Sequence, residues 1–89
     1  MFEIEISYSK IGQHFDNKRY WCFFHDDIEK YNDRPRSKLG SDNFLVLNDI
    51  LHYWLLEHHM DYSIKEIGLN TCIIFENKED AVLFKLVWM

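Results

Sequence analysis

The sequence predicts an α+β domain in which helices pack on one face of a small antiparallel sheet of three to four strands. Two observations favour this fold class. Residues alternate in polarity near the N-terminus and again over 61–67, as in strands with one buried face. Between these segments, residues 41–59 carry apolar side chains at the spacing of a helix face. With 89 residues, the chain is expected to form a single domain, 1–89.

The first strand is predicted where apolar and polar residues alternate from Phe2 to Tyr8. Residues 18–32 fit two structures, because their aromatic start, Tyr20–Phe24, is typical of a strand. Four of their apolar residues also follow the spacing of a helix face: Trp21, Phe24, Ile28 and Tyr31. We favour a helix, since a sheet covered on one side has little use for a strand that is apolar on both faces. The alternative is a ferredoxin-like split βαβ arrangement with 18–25 as a strand.

Residues 32–40 are predicted to form a loop, since Pro35 disfavours helical geometry in the residue before it. The central helix follows over 41–59, and Ser41 or Asp42 is a good N-cap because its side-chain oxygen can accept a backbone N–H. One continuous arc of this helix is expected to face the core: Phe44, Leu47, Ile50, Leu51, Trp54 and Leu55.

Two β-rich segments, 61–67 and 71–75, are joined by a short turn and predict an antiparallel hairpin. Asn77 is then expected to cap a last helix with two acidic residues in its first turn. Residues 81–88 are apolar on nearly all sides, so this helix is expected either to be sandwiched or to lose helical geometry near its end. The predicted order is strand–helix–helix–strand–strand–helix.

Composition limits the classes of function. The net charge of −5 disfavours general nucleic-acid binding, which needs a basic surface. The sequence has no apolar run of about 18 residues that could span a membrane and no signal-peptide layout, so we expect a cytoplasmic protein. Cys22 and Cys72 lie in apolar surroundings and are expected to be buried free thiols.

The five histidines raise the question of a metal site. Helical zinc ligands are spaced three or four residues apart, whereas His52 and His59 are seven apart and are expected on a solvated stripe. His58 is expected to point towards the apolar arc. Cys22 and His25 would be neighbours on a helix, but no catalytic motif accompanies them. We therefore expect no metal, no cofactor, no catalytic residue and no enzymatic activity.

Surplus apolar surface on the central helix predicts a protein-binding module. Leu45, Val46, Tyr53 and Leu56 fall on its far side and are interleaved with charged residues such as Asp49. A helix that is apolar on two sides is covered twice, either by its own chain or by another molecule. These five residues are thus the predicted contact site for a protein partner or for a second copy in a homodimer.

Two alternatives involve charge. The basic residues of the predicted loop could contact phosphate groups of nucleic acid: Arg34, Arg36 and Lys38. Two acidic clusters could instead mimic the phosphates of nucleic acid: Asp26, Asp27, Glu29 and Asp33 in one, and Glu76, Glu79 and Asp80 in the other.

The C-terminal segment Ile74–Trp88 carries the sequence Glu79-Asp80-Ala81 and then Phe84-Lys85-Leu86-Val87-Trp88. It resembles the closing strand and helix of small uncharacterised proteins from tailed bacteriophages. The resemblance covers about a sixth of the chain, and Trp21-Cys22 is a second, weaker similarity. It implies a viral accessory protein that acts in the cytoplasm of a bacterial host. It implies no activity and no site residues.

Overall fold

The computed structural model describes residues 2–12, 20–25, 31–39 and 43–89. They form an α+β domain, which confirms the predicted fold class. A short 3-10 helix, Tyr8–Lys10, follows the first strand. The strands and α-helices, in chain order, are β1 (Phe2–Ile6), β2 (Ile11–Gly12), β3 (Cys22–His25), β4 (Arg36–Leu39), β5 (Asn43–Leu47), α1 (Asp49–Glu57), β6 (Tyr62–Ile67), β7 (Asn70–Phe75) and α2 (Lys78–Trp88).

The strands form two sheets. The first sheet has the order β1–β7–β6, is antiparallel throughout and contains the predicted hairpin, β6–β7. Gly68 lies in the turn of this hairpin with a φ of 63°, a geometry that glycine adopts without steric cost. The second sheet has the order β2–β3–β5–β4, in which β2 is parallel to β3 and the other pairs are antiparallel.

One hydrophobic core joins both sheets and both α-helices. Alternation along β1 turns Ile4 inward, and Ile4 lies opposite Ile73, which in turn lies opposite Ile64 on the other neighbouring strand. Burial of this cluster is the main stabilising contribution available to so small a domain. Its buried members are Ile4, Ile6, Cys22, Leu45, Leu47, Leu51, Leu55, Met60, Ile64, Ile73, Phe75, Ala81 and Phe84.

The central helix is shorter than predicted, because residues 43–47 form strand β5 and the helix begins at Asp49. Strand β5 lies between β3 and β4 and is buried on both faces. A short apolar run has the same appearance in a buried strand as in a buried helix, so periodicity alone does not distinguish them. Ile50, predicted to face the core, is 46% exposed. The buried residues of β5 are Leu45, Val46 and Leu47.

The N-cap of helix α1 is Asn48. Its side-chain oxygen accepts a hydrogen bond from the N–H of Leu51 at 2.8 Å, and its amide nitrogen donates one to the carbonyl of Tyr20 at 2.6 Å. Asn48 therefore both starts the helix and ties it to the segment before β3. The predicted caps, Ser41 and Asp42, lie outside the described residues and well before this helix start.

The helix favoured over 18–32 is replaced, in its described part, by strand β3. The assumption behind that prediction was wrong, because the second sheet is covered on both faces. Cys22 faces the main core, while Phe23 and Val46 belong to a second cluster with Tyr31. The rings of Phe23 and Tyr31 meet edge to face, with their centroids 5.2 Å apart. A strand that is apolar on both faces fits this position.

The predicted loop 32–40 contains a strand as well. β4 pairs with β5 directly after Pro35, whose ring favours extended geometry around it. From α1 onward, the order helix–strand–strand–helix is as predicted. Both cysteines are buried free thiols, also as predicted. Within the described ranges, no helix has the length and apolar character needed to cross a membrane.

Candidate protein-binding surface

One side of helix α2 is anchored in the core by aromatic residues. Ala81 and Phe84 are buried, and Trp88 is half-buried. The ring centroid of Phe84 lies 5.6 Å from that of Phe75 and 5.7 Å from that of Trp21. Aromatic pairs at such distances contribute about 0.5–1.5 kcal/mol beyond their burial. These contacts fix which side of α2 faces the sheet.

The opposite side of α2 presents exposed apolar residues to solvent. At 100° per residue, Val82, Leu83 and Leu86 share an arc of about 100° opposite Phe84, which also holds Glu79, and Val87 lies at the edge of this arc, about 60° from Phe84. Helical geometry continues to Trp88, so the end of the helix does not unwind over the core. We call this surface the α2 outer face; its residues are Val82, Leu83, Leu86 and Val87, which are 46%, 38%, 77% and 51% exposed.

The outer side of α1 holds three of the five residues predicted to contact a partner. Tyr53 and Leu56 are 47% and 59% exposed, and the side chain of Asp49 is 43% exposed. The placement of the other two was wrong. Leu45 and Val46 lie in β5 rather than on the helix, and both are buried. They cannot form part of a surface contact in this fold.

Arg34 lies at the centre of a buried polar network. Its Nε donates to Asp33 Oδ1 at 2.9 Å, its Nη2 lies 2.8 Å from Asp49 Oδ1, and its Nη1 donates to the carbonyl of Leu47 at 2.8 Å. The guanidinium also lies over the ring of Tyr31, 5.1 Å from its centroid. Arg34 was predicted to contact an external anion, but its side chain is 3% exposed and its charge is already paired.

The same network includes a buried histidine. His52 Nδ1 and the Tyr62 hydroxyl are 2.8 Å apart, and Tyr53 donates its hydroxyl proton to Asp33 at 3.2 Å. Burial, followed by the charge of Arg34, lowers the pKa of His52, while the hydrogen bond from Arg34 lowers the pKa of Asp33. His52 was predicted to be solvated, and this was wrong. The network connects α1 to β6 and to the segment before β4.

The structure describes only some of the basic and acidic residues on which the two charge-based alternatives depend. Arg36 is exposed and lies 5.6 Å from the centroid of the Phe44 ring, and the side chain of Lys38 lies outside the described residues. Glu76 and Glu79 are exposed and Asp80 is half-buried. Asp33, from the first acidic cluster, is paired with Arg34. The other residues of that cluster lie outside the described part: Asp26, Asp27 and Glu29.

In the described part of the chain, no three histidine, cysteine or acidic side chains are placed to hold a metal ion. His58 is exposed rather than turned inward, and its Nδ1 lies 2.7 Å from the carbonyl of Trp54. Burial raises the pKa of the Cys22 thiol, which disfavours the nucleophilic thiolate. The helical spacing that would make Cys22 and His25 neighbours is absent, because β3 is a strand.

No family model, no curated protein and no solved structure matches this chain.

Proposed function

We propose that this protein is a non-catalytic module that binds another protein through the α2 outer face. The observation that carries this proposal is the exposure of four adjoining apolar side chains on a helix whose other side is anchored in the core. Removing apolar surface from water yields about 25 cal/mol per Å². A contiguous apolar surface on a soluble domain typically marks an interaction site.

The outer side of α1 supports the proposal less strongly. Its aromatic residue, Tyr53, already donates a hydrogen bond to Asp33, and Asp49 is paired with Arg34. Leu56 remains as an exposed apolar contact. We therefore assign α1 a secondary part in binding and the α2 outer face the principal one.

The proposed partner is a host protein, and the proposed role is that of a bacteriophage accessory protein acting in the bacterial cytoplasm. This part of the proposal is supported by the resemblance of Ile74–Trp88 to small phage proteins. The resembling segment contains the whole of α2. It includes the core anchor Phe84 and, on the exposed side, Leu86.

The test compares partner capture by two variants from a bacterial lysate. Leu86→Asp places a charge in the α2 outer face, and Leu69→Asp places the same charge in the β6–β7 turn, where Leu69 is 88% exposed. We expect a protein that is retained by the wild type and by Leu69→Asp and lost from Leu86→Asp. Circular dichroism establishes that both variants are folded.

Self-association is measured on the same three proteins by sedimentation velocity. A dimer that Leu86→Asp dissociates and Leu69→Asp leaves intact would identify a second copy as the partner. A monomer that captures no protein, or one that captures the same protein with either variant, would contradict the proposal.

A further inference from the structure

A groove lies between β1, at the edge of the first sheet, and helix α2. It adjoins the α2 outer face, because Lys78 and Val82 line both surfaces. Within the described residues, β7 is the single strand that pairs with β1. The lining residues are Phe2, Glu3, Ile4, Lys78, Ala81, Val82 and Lys85.

An edge strand can accept a further strand. Alternate residues of β1 direct their N–H and C=O groups away from β7, and these groups are available to pair with another extended chain. Peptides are often recognised in this way, with main-chain hydrogen bonds supplying affinity and an adjoining groove supplying specificity. Phe2 is 39% exposed and Val82 is 46% exposed, so the groove has an apolar floor that a partner's side chain can cover.

We propose that this groove binds an extended peptide segment of a partner protein, which adds to β1 as a fourth strand of the first sheet. The proposal deepens the proposed function, on which it rests, by naming the chemistry of the partner. The segment carries an apolar residue on the face towards α2 and an acidic residue two positions to either side of it.

Charge complementarity selects this pattern. Lys78, Val82 and Lys85 share one stripe of α2, and a helix rise of about 1.5 Å per residue separates the two lysines by about 10 Å along the axis. Side chains on one face of a strand recur about every 6.6 Å. On an added strand that runs along α2, an apolar side chain opposite Val82 is thus flanked by positions that the lysine ammonium groups can reach.

Among the described residues that line the groove, Glu3 is the one carboxylate. Alternation turns its side chain to the opposite face of β1 from Phe2 and Ile4, so the intervening residues of the partner are expected to be neutral or basic.

A second copy of β1 fits this position poorly. Two such strands side by side would bring Glu3 and Glu5 of each copy near the same carboxylates of the other, and like charges across strands are destabilising.

The experiment uses a fluorescently labelled, end-capped peptide that contains Glu-Thr-Val-Thr-Glu, which reads the same in both directions and so suits either strand orientation. Binding to the full-length protein is measured by fluorescence anisotropy at low ionic strength. Two control peptides replace both glutamates by lysine or carry N-methyl groups on valine and on the threonine after it, so that a main-chain donor facing β1 is lost in either strand orientation. We expect binding of the acidic peptide and of neither control, together with shifts of the β1 amide resonances in NMR spectra.

Two protein variants separate this groove from the α2 outer face. Lys78→Glu/Lys85→Glu is expected to weaken peptide binding by about tenfold or more, because it turns two attractions into repulsions. Leu69→Asp, which adds a charge outside the groove lining, is expected to leave peptide binding unchanged, whereas Leu86→Asp should abolish capture of the partner in the lysate experiment. Three results would overturn the proposal. They are no binding of the acidic peptide, binding of the N-methylated peptide as strong as that of the acidic peptide, and binding of the acidic peptide to the double lysine variant as strong as to the wild type. Each of these results leaves the outcome for Leu86→Asp in the lysate experiment unaffected.

Discussion

Arg34 Nη1 donates a hydrogen bond to the main-chain carbonyl of Leu47 across 2.8 Å. This contact links the segment before β4 to the last residue of β5, just ahead of the N-cap of α1. The remaining donors of the guanidinium contact Asp33 and Asp49. Arg34, which was predicted to contact an external anion, thus connects elements of its own chain.

Replacement of Arg34 by methionine is expected to lower the free energy of unfolding by about 1–3 kcal/mol. It leaves the buried carbonyl of Leu47 without its donor, while Asp33 and Asp49, whose side chains are 42% and 43% exposed, can be solvated by water. Arg34→Lys should cost less, because it retains the charge but not the planar arrangement of donors. Urea denaturation measures both, with Arg36→Met as an exposed control expected within about 0.5 kcal/mol of the wild type. Equal midpoints for Arg34→Met and the wild type would contradict this role.

The stability is expected to fall as the pH decreases through the ordinary pKa of histidine. The pKa of His52 is lowered below 6.5, first by burial and then by the nearby charge of Arg34, and Asp33 and Asp49 oppose this effect. Just below pH 6.5, the unfolded chain therefore binds a proton at this histidine more readily than the folded chain does. The free energy of unfolding should not depend on His52 above about pH 7.5 and should decrease below about pH 6.5. Urea unfolding at a series of pH values measures this slope. His52→Gln should flatten it, and a wild-type slope of the opposite sign would exclude the explanation.

Substitution of Asn48 tests its two hydrogen bonds separately. Asn48→Asp keeps the oxygen that accepts from Leu51 N–H but loses the donor to the carbonyl of Tyr20, whereas Asn48→Ala loses both. We expect a loss of about 1 kcal/mol for the aspartate and about 2–3 kcal/mol for the alanine variant. Thermal denaturation followed by circular dichroism gives the order of stability. An alanine variant as stable as the wild type would show that neither bond matters.

The thiol of Cys22 is expected to resist alkylation in the folded protein. It is fully buried in the core, and burial raises its pKa, so little thiolate is accessible to reagent. Iodoacetamide labelling of a Cys72→Ser variant, followed by mass spectrometry, isolates this residue. We expect iodoacetamide to label Cys22 only when urea unfolds the protein. Rapid labelling of Cys22 without denaturant would show that the core opens readily around β3.

The parts of the fold that were predictable are those with strict periodicity. β1 and β6 have one buried face, so their alternation is visible in the sequence, whereas β7 is buried from Thr71 to Phe75 and was predicted from its β-rich composition and the turn before it. β5 and β3 could not be identified in this way, because they lie in a sheet with apolar residues on both faces. The cap at Asn48 separates Leu47, in strand β5, from Leu51, in helix α1. This boundary is difficult to recognise in the sequence, because apolar residues occur on both sides of it.

The candidate site was predictable only in outline. The central helix was expected to carry the partner surface, because it was predicted to be apolar on two sides. In the structure, α2 has apolar residues on two sides more clearly than α1 has. Tyr53 and Leu56 are exposed on α1, and their contact with a partner stays a prediction. The engagement of Arg34 could not be foreseen, because Asp49 approaches it only through the tertiary fold.

Site-specific photo-crosslinking tests the central claim, binding through the α2 outer face, most directly. A benzophenone amino acid is introduced at Leu86, which is 77% exposed, or at Leu69, an 88% exposed control outside the face, and the protein is irradiated in a bacterial lysate. We expect a discrete protein adduct, either with a second copy or with one host protein, from position 86 and none from position 69. Adducts of the same kind from both positions, or from neither, would contradict the account.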